Sequence, residues 1–313
     1  MQQELISLKK FFDVILIGNY SIDLVFSGFP TLPRMGVDVR SKDFTLIPGE
    51  SYTNAVVMHR LGISVGWAAD FGNDELSQIA LRFIRVENLD ESLFFHHSFP
   101  LKRISTVISN DNDRGFITYY DPNPGEHAFH KVIQNITGSI LMIPGLNFVP
   151  EILKFGSYCR GRGIKIYLDA NMGADMSLDN PEIQGIIPWI DVLLPNSREV
   201  KVLTGETDLL KGIRILAKHF PLVIAKDGEN GSFACDGHNL LHVPSIKMEA
   251  NDTTGAGDCF DCGFVKARLD NQKIEDCLKW GNIVGAISTL ACGGSGRKIT
   301  IDEVRRTLSQ SYT

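Results

Sequence analysis

Residues 251–258 read NDTTGAGD, a glycine turn that ends in a carboxylate. Gly255, Ala256 and Gly257 carry almost no side chain, so an anion can come close to the backbone there. An apolar helix follows, with Phe260, Phe264 and Val265. At a helix start, N–H groups converge with the positive end of the dipole. Asp258 stands at that same end. A carboxylate aimed into an anion hole is badly suited to holding phosphate statically. It is well suited to taking a proton from an attacking hydroxyl while the amides hold a transferring phosphoryl group. The competing reading is an Asp that caps a helix after a glycine turn, which needs no glycine on both sides of Ala256.

A second pattern is Asn196-Ser-Arg-Glu199, directly after the apolar run DVLLP. A carboxamide and a carboxylate at i and i+3 can order waters around Mg²⁺, which keeps much of its hydration shell. The same spacing fits an N-cap with a capping-box glutamate. A third is KDGENG over 226–231, following LVIA. Its glycines, Gly228 and Gly231, can pass under a nucleotide, and an Asp-Gly turn explains them equally well. Near the N-terminus Gly18 and Asn19 end the first apolar run, Asp23 follows, and GESYTN over 49–54 opens a helix. Asp23 and Asn54 supply groups for substrate hydroxyls, or are satisfied turn residues. No GxxxxGK[ST] and no GxGxxG is present. Cys259 and Cys262 form a CxxC without a second pair or a suitably spaced His, and read as buried apolar side chains. His96-His97 has no neighbours to complete a metal site.

Such groups need a frame. Runs at 13–17 (DVILI), 140–143 (ILMI), 164–168 (IKIYL), 191–194 (DVLL) and 222–225 (LVIA) read as buried strands. Helical segments fall at 51–61, 75–87, 151–162, 199–204 and 209–219. Strand alternating with helix predicts a mostly parallel sheet covered on both faces, with ligands beyond the carboxyl ends of its strands. The alternating segments 103–110 and 116–120 flank a five-residue polar link, DNDRG, and predict a hairpin. Segment 37–46 alternates as well. Together they predict a small antiparallel lid. A second hairpin is expected over 231–243, turning at Asp236-Gly237.

The length of 313 residues allows one large domain or two small ones. A hydrophobic content of 43% excludes a disordered chain, and no apolar run reaches membrane-span length. Lys9 and Lys10 precede an apolar stretch, but Asp13, Asn19 and Asp23 interrupt it, so it reads as a strand and not a signal peptide. The net charge of −6, with no basic block, argues against nucleic acid as the main partner. Six cysteines in this length read as reduced thiols of a cytoplasmic protein.

These motifs in this order resemble the ribokinase/PfkB family of carbohydrate kinases, over nearly the whole chain. DTTGAGD matches the family's C-terminal signature. Gly49 to Asn54 stand for its Gly-Gly-x-x-x-Asn segment, Asn196 and Glu199 for its Asn-x-x-Glu, and Gly228 and Gly231 for its nucleotide-loop glycines. The resemblance implies one ribokinase-like α/β domain over 1–313, with lid segments at about 24–47 and 99–123, and dimers that pair through the lid. It implies Asp258 as base and Gly255, Ala256 and Gly257 as anion hole. Asp23, Gly49 and Asn54 would contact the sugar. Asn196, Lys226, Gly228, Gly231 and Asn282 would line the ATP, and Asn196 and Glu199 would order Mg²⁺. Many members hold a monovalent cation such as K⁺ beside the anion hole; Asp252 and Thr254 match that place, with the 293–295 loop.

The chain departs from the family pattern at Glu50, where a second Gly is usual. Met172 stands where some members have Arg, and Asp70 stands where Gly is usual. Glu50 at a sugar-facing position favours a neutral polyhydroxyl substrate, because it accepts hydroxyl hydrogen bonds and repels an acidic substrate. It could instead answer a lid arginine, Arg103 or Arg114, which would leave room for an acidic sugar such as 2-keto-3-deoxygluconate. The expected activity is ATP-dependent phosphorylation of a primary hydroxyl on a neutral sugar or nucleoside. A catalytically silent sugar- or nucleotide-binding regulator on the same fold is the rival from another class. The missing GxGxxG disfavours an oxidoreductase.

Overall fold

The computed structural model describes residues 10–32, 34–110, 113–122, 128, 137–146, 149–171 and 176–312. The chain begins with strands β1 (Phe11–Ile17), β2 (Tyr20–Ser27) and β3 (Asp43–Glu50), then helix α1 (Ser51–Arg60), β4 (Val65–Phe71) and α2 (Glu75–Val86). Next come β5 (Phe94–His96), β6 (Arg103–Asn110), β7 (Asp113–Tyr120), β8 (Thr137–Ile143), α3 (Val149–Gly161) and β9 (Lys165–Asp169). Helix α4 (Pro181–Ile186), β10 (Val192–Leu194), α5 (Ser197–Thr204), α6 (Leu209–Leu216) and β11 (Val223–Lys226) follow. The hairpin β12 (Ser232–Cys235) and β13 (Leu240–Val243) precedes three helices, α7 (Ala256–Leu269), α8 (Ile274–Ser288) and α9 (Ile301–Ser311).

One sheet runs β13-β12-β11-β10-β9-β8-β1-β4-β5. From β11 to β5 every pairing is parallel, and the β12–β13 hairpin adds an antiparallel edge. Both faces are covered, which is why its strands read as unbroken apolar runs. Val14, Leu16, Trp67 and Met142 pack to one side with Val56, Phe264 and Ile283 of α1, α7 and α8. Ile15, Ile17, Leu141 and Ile143 pack to the other with Ile152 and Val200 of α3 and α5.

The expected small sheet is present, in the order β3-β2-β6-β7. Its outer pairings are antiparallel, while β2 and β6 run parallel. Three expectations need correction. The lid strand begins at Asp43, and 37–42 form no strand, since the alternating polar residues there have no partner strand. The link of the β6–β7 hairpin is shorter than the five residues predicted, because the ladder continues to Asn110 opposite Asp113. The lid also starts earlier than residue 24, since the first apolar stretch divides after Ile17 into β1 of the large sheet and β2 of the small one. Met172 lies outside the described residues, as does the side chain of Arg114. Among the described residues no helix is long and apolar enough to cross a membrane.

Candidate active site

Helix α7 starts from Gly255, whose φ of 71° is left-handed backbone that glycine adopts without strain. A Cβ there would also lie 2.8 Å from the Gly294 Cα, so the two loops pack backbone to backbone. Asp252 ties them together. Its carboxylate accepts the N–H of Thr254 at 2.7 Å and the N–H of Gly293 at 2.8 Å. From α1, Arg60 donates to the carbonyls of Ser295 at 2.8 Å and Arg297 at 2.9 Å, and pairs with Glu87. The predicted anion hole and the 293–295 loop are therefore one braced unit.

Asp258 stands in the first turn of α7, half-buried at the hole. Desolvation, then the charge of Asp169, push its carboxyl up to about 7, against the opposing pull of Lys226 and the Asn54 amide. A carboxylate poised near neutrality is matched to general-base work. Fully buried Asn54, on α1, places its Nδ2 3.5 Å from the Asp258 carbonyl, and its Oδ1 has no hydrogen-bond partner among the described residues.

The lid supplies further carboxylates, one of which, Glu50, acts on Asp258. Asp23 on β2 accepts the Ser21 hydroxyl at 2.6 Å, and desolvation pushes its carboxyl up to about 6. Gly49 lies opposite Ser21 on β3, and a Cβ there would collide with the Asp23 carboxylate. Glu50 follows at the start of α1 with φ 53° and ψ −136°. That region is close to glycine-only and costs about 1–3 kcal/mol for any other residue. The strain accounts for the family's glycine here and makes Glu50 a functional candidate. Glu50 is exposed yet crowded: desolvation raises its carboxyl above the usual range, and the Tyr120 hydroxyl donates to it at 2.6 Å. Its charge is felt at both Asp23 and Asp258. Arg103, fully buried on β6, donates to the Asp70 carbonyl at 2.9 Å and lends Glu50 only its charge.

At the carboxyl ends of β9 and β11, Lys226 lies 3.1 Å from Asp169 and 3.1 Å from Asp261, all three buried. Burial opposes its charge, but Asp169, Asp261, Glu199 and Asp258 outweigh burial and raise the Lys226 ammonium above the usual lysine range. The ammonium expected at the nucleotide thus meets two carboxylates. Asn196 and Glu199 form the full capping box of α5, Oδ1 accepting the Glu199 N–H at 2.9 Å and Oε2 accepting the Asn196 N–H at 2.8 Å. Gly228 and Gly231 bracket a short 3₁₀ turn after β11, as the Asp-Gly turn reading had it. Asn282, expected beside the nucleotide, donates through its Nδ2 to the carbonyls of Val243 and Pro244 at 3.1 and 3.2 Å. Cys259 and Cys262 are buried thiols that donate to the carbonyls of Gly294 and Asn54, and burial raises both. Among the described residues no acidic, His or Cys cluster could hold a metal ion by itself.

A family profile described as pfkB family carbohydrate kinase matches residues 14–299. The chain belongs to the pfkB family of carbohydrate kinases. It is accordingly a sugar kinase, a phosphotransferase. The chain is 24% identical to the ribokinase of Bacillus subtilis (strain 168), covering 95% of this chain and 99% of that one. It is 25% identical to the 2-dehydro-3-deoxygluconokinase of the same organism, covering 85% and 88%. The solved Arabidopsis thaliana ribokinase, complexed with ribose and ATP, shares the fold with a TM-score of 0.80 at 18% identity over 96% of this chain and 99% of that one.

In this pfkB-family kinase three participants were not legible as such beforehand. Asp169 reads only as the first residue of Asp169-Ala170-Asn171-Met172, which resembles the Asp-x-Asn-x-Arg strand end of some family members, and Tyr120 as the end of a hairpin, with no sign of their partners. Asp261 did leave a trace. It is a lone charge in the apolar segment CFDCGF, which implies a buried partner.

Proposed function

We propose that this kinase transfers the γ-phosphoryl group of ATP to a primary hydroxyl of a neutral sugar or nucleoside. One observation carries the reading: Asp258, its carboxyl raised to about 7, stands at the glycine-lined start of α7 and feels the charge of Glu50, which also acts on Asp23. The substrate hydroxyl gives its proton to Asp258 and its oxygen bonds the γ-phosphorus. The bond from that phosphorus to the bridging oxygen breaks, and ADP leaves. Asp23, Glu50 and Asn54 hold the remaining hydroxyls, and the unpartnered Oδ1 of Asn54 is an acceptor of the right kind. Gly228 and Gly231 border the nucleotide.

Mg²⁺ would be held through water by the Glu199 carboxylate oxygen that the capping box does not use, and would neutralise phosphate charge. K⁺ would be held by the 252–254 and 293–295 loops that the Asp252 carboxylate joins, and would strengthen the field of the anion hole. Titrating each ion at fixed ionic strength should raise the rate, and equal rates in K⁺ and a bulky organic cation would refute the K⁺ site. The exposed side chains of Phe44, Phe116, Ile117 and Tyr119 support pairing of two lids. Light scattering that gives a monomer at micromolar concentration would exclude it.

Glu50 decides the substrate class. In wild type, kcat/KM should be greater for neutral sugars and nucleosides than for 2-keto-3-deoxygluconate or fructose phosphate. Glu50→Gly should narrow that preference while stabilising the fold by up to about 1–3 kcal/mol, because the strained φ is relieved. A wild-type preference for an acidic sugar would overturn the neutral-substrate reading.

A further inference from the structure

We infer that Lys226 is a positioning residue of the phosphoryl-transfer site: from beside Gly257 its ammonium pins Asp169 and Asp261 and offsets their negative charge next to the anion hole. The inference rests on the phosphoryl-transfer reading above and concerns a side chain that this reading does not use.

The geometry allows little else. Lys226 Nζ lies 3.1 Å from Asp169 Oδ1 and 3.1 and 3.2 Å from the two oxygens of Asp261. An ammonium has three donors, and here they meet three carboxylate oxygens. None remains for a nucleotide phosphate, so the residue acts through its neighbours. Asp261 is fully buried one helical turn after Asp258. Residues at i and i+3 share a helix face, so pinning Asp261 fixes the rotation of the turn that presents Asp258. Asp169 ends β9 and is the largest charge acting on Asp258. A Cβ built on Gly257 would lie 3.7 Å from Nζ, so the ammonium stands close to the backbone of the anion hole. Held there and shielded from water, the ammonium offsets two buried carboxylates that would otherwise repel an anion at the hole, without reorganisation.

A buried ion pair can also be mere packing, and neutral replacements then serve as well. The test therefore compares Lys226→Gln with the neutral double variant Lys226→Gln/Asp261→Asn, which removes both charges of the pair and keeps hydrogen-bonding groups. Melting temperature, kcat, both KM values and thermal protection by inorganic phosphate are read on each. The single variant should be the less stable, and if it does not fold the double variant carries the test. The double variant should melt near wild type, yet turn over at least about tenfold more slowly with KM values within about threefold. Recovery of wild-type kcat together with wild-type melting would reduce Lys226 to packing and overturn the inference. If wild type phosphorylates nothing on a sugar and nucleoside panel, the kinase reading fails separately. Lys226 is then judged by phosphate alone. Protection of wild type that the double variant loses upholds it, and absent or equal protection overturns it.

Discussion

Replacing Asp258 by Asn should lower kcat by about 10²–10⁴ while nucleotide binding stays largely intact. Asn keeps the size and the hydrogen-bonding capacity of the side chain but cannot take a proton. The glycine backbone of residues 255–257 is untouched, so the anion hole persists and residual turnover comes from it. The loss should fall on kcat, since the missing interaction forms as the hydroxyl loses its proton. A variant that retains a third of wild-type turnover would remove Asp258 from the base role. The substitution should also stabilise the protein increasingly as pH rises from about 4 to 7. An unfolded chain releases the Asp258 proton near the ordinary carboxylate value, whereas the folded site holds it to about 7, so wild type loses stability across that window. Asn, which mimics the protonated acid, has nothing to lose there.

The second large effect is on pH. In the proposed base role Asp258 would act only when ionised, so kcat/KM for the free enzyme should rise tenfold per pH unit below about 7 and level off above it. Burial and the Asp169 charge both push in that direction, and Lys226 limits the shift. From pH 7 to pH 5 the loss should be about fiftyfold, and from the plateau about a hundredfold. Asp23, held up to about 6, adds curvature at the acid end if its carboxylate must accept substrate hydroxyls. A flat profile between pH 5 and 8 would mean that no group with a raised carboxyl pKa limits catalysis.

The parallel strands were legible because burial on both faces leaves unbroken apolar runs, as at 140–143 and 222–225. Strand β4 was not, although it is buried throughout and pairs with β1 at the heart of the sheet. Its sequence VGWAADF is broken by Gly66, two alanines and Asp70. Asp70 is tolerated because it accepts the Ala128 N–H and bonds His97 within the fold, partners that no local pattern reveals. Pairing of β2 with β6 joins Ile22 to Ile104, a separation beyond any hairpin rule. At the site, motifs contiguous in the chain were legible: the glycine turn, the capping box and the Gly49–Asn54 helix opening. The cluster built on Lys226 was not, since its members come from β9, β11 and α7. The strain at Glu50 was visible only as a departure from the family's glycine, and the backbone supplies its meaning.

The most direct measurement is ³¹P NMR of the products formed from ATP and the best neutral sugar or nucleoside in the panel. The expected result is one ADP per phosphate monoester, with the ester phosphorus split by two methylene protons, as a primary hydroxyl requires. Release of inorganic phosphate alone, unchanged ATP, or an ester coupled to a single proton would contradict transfer to a primary hydroxyl at Asp258.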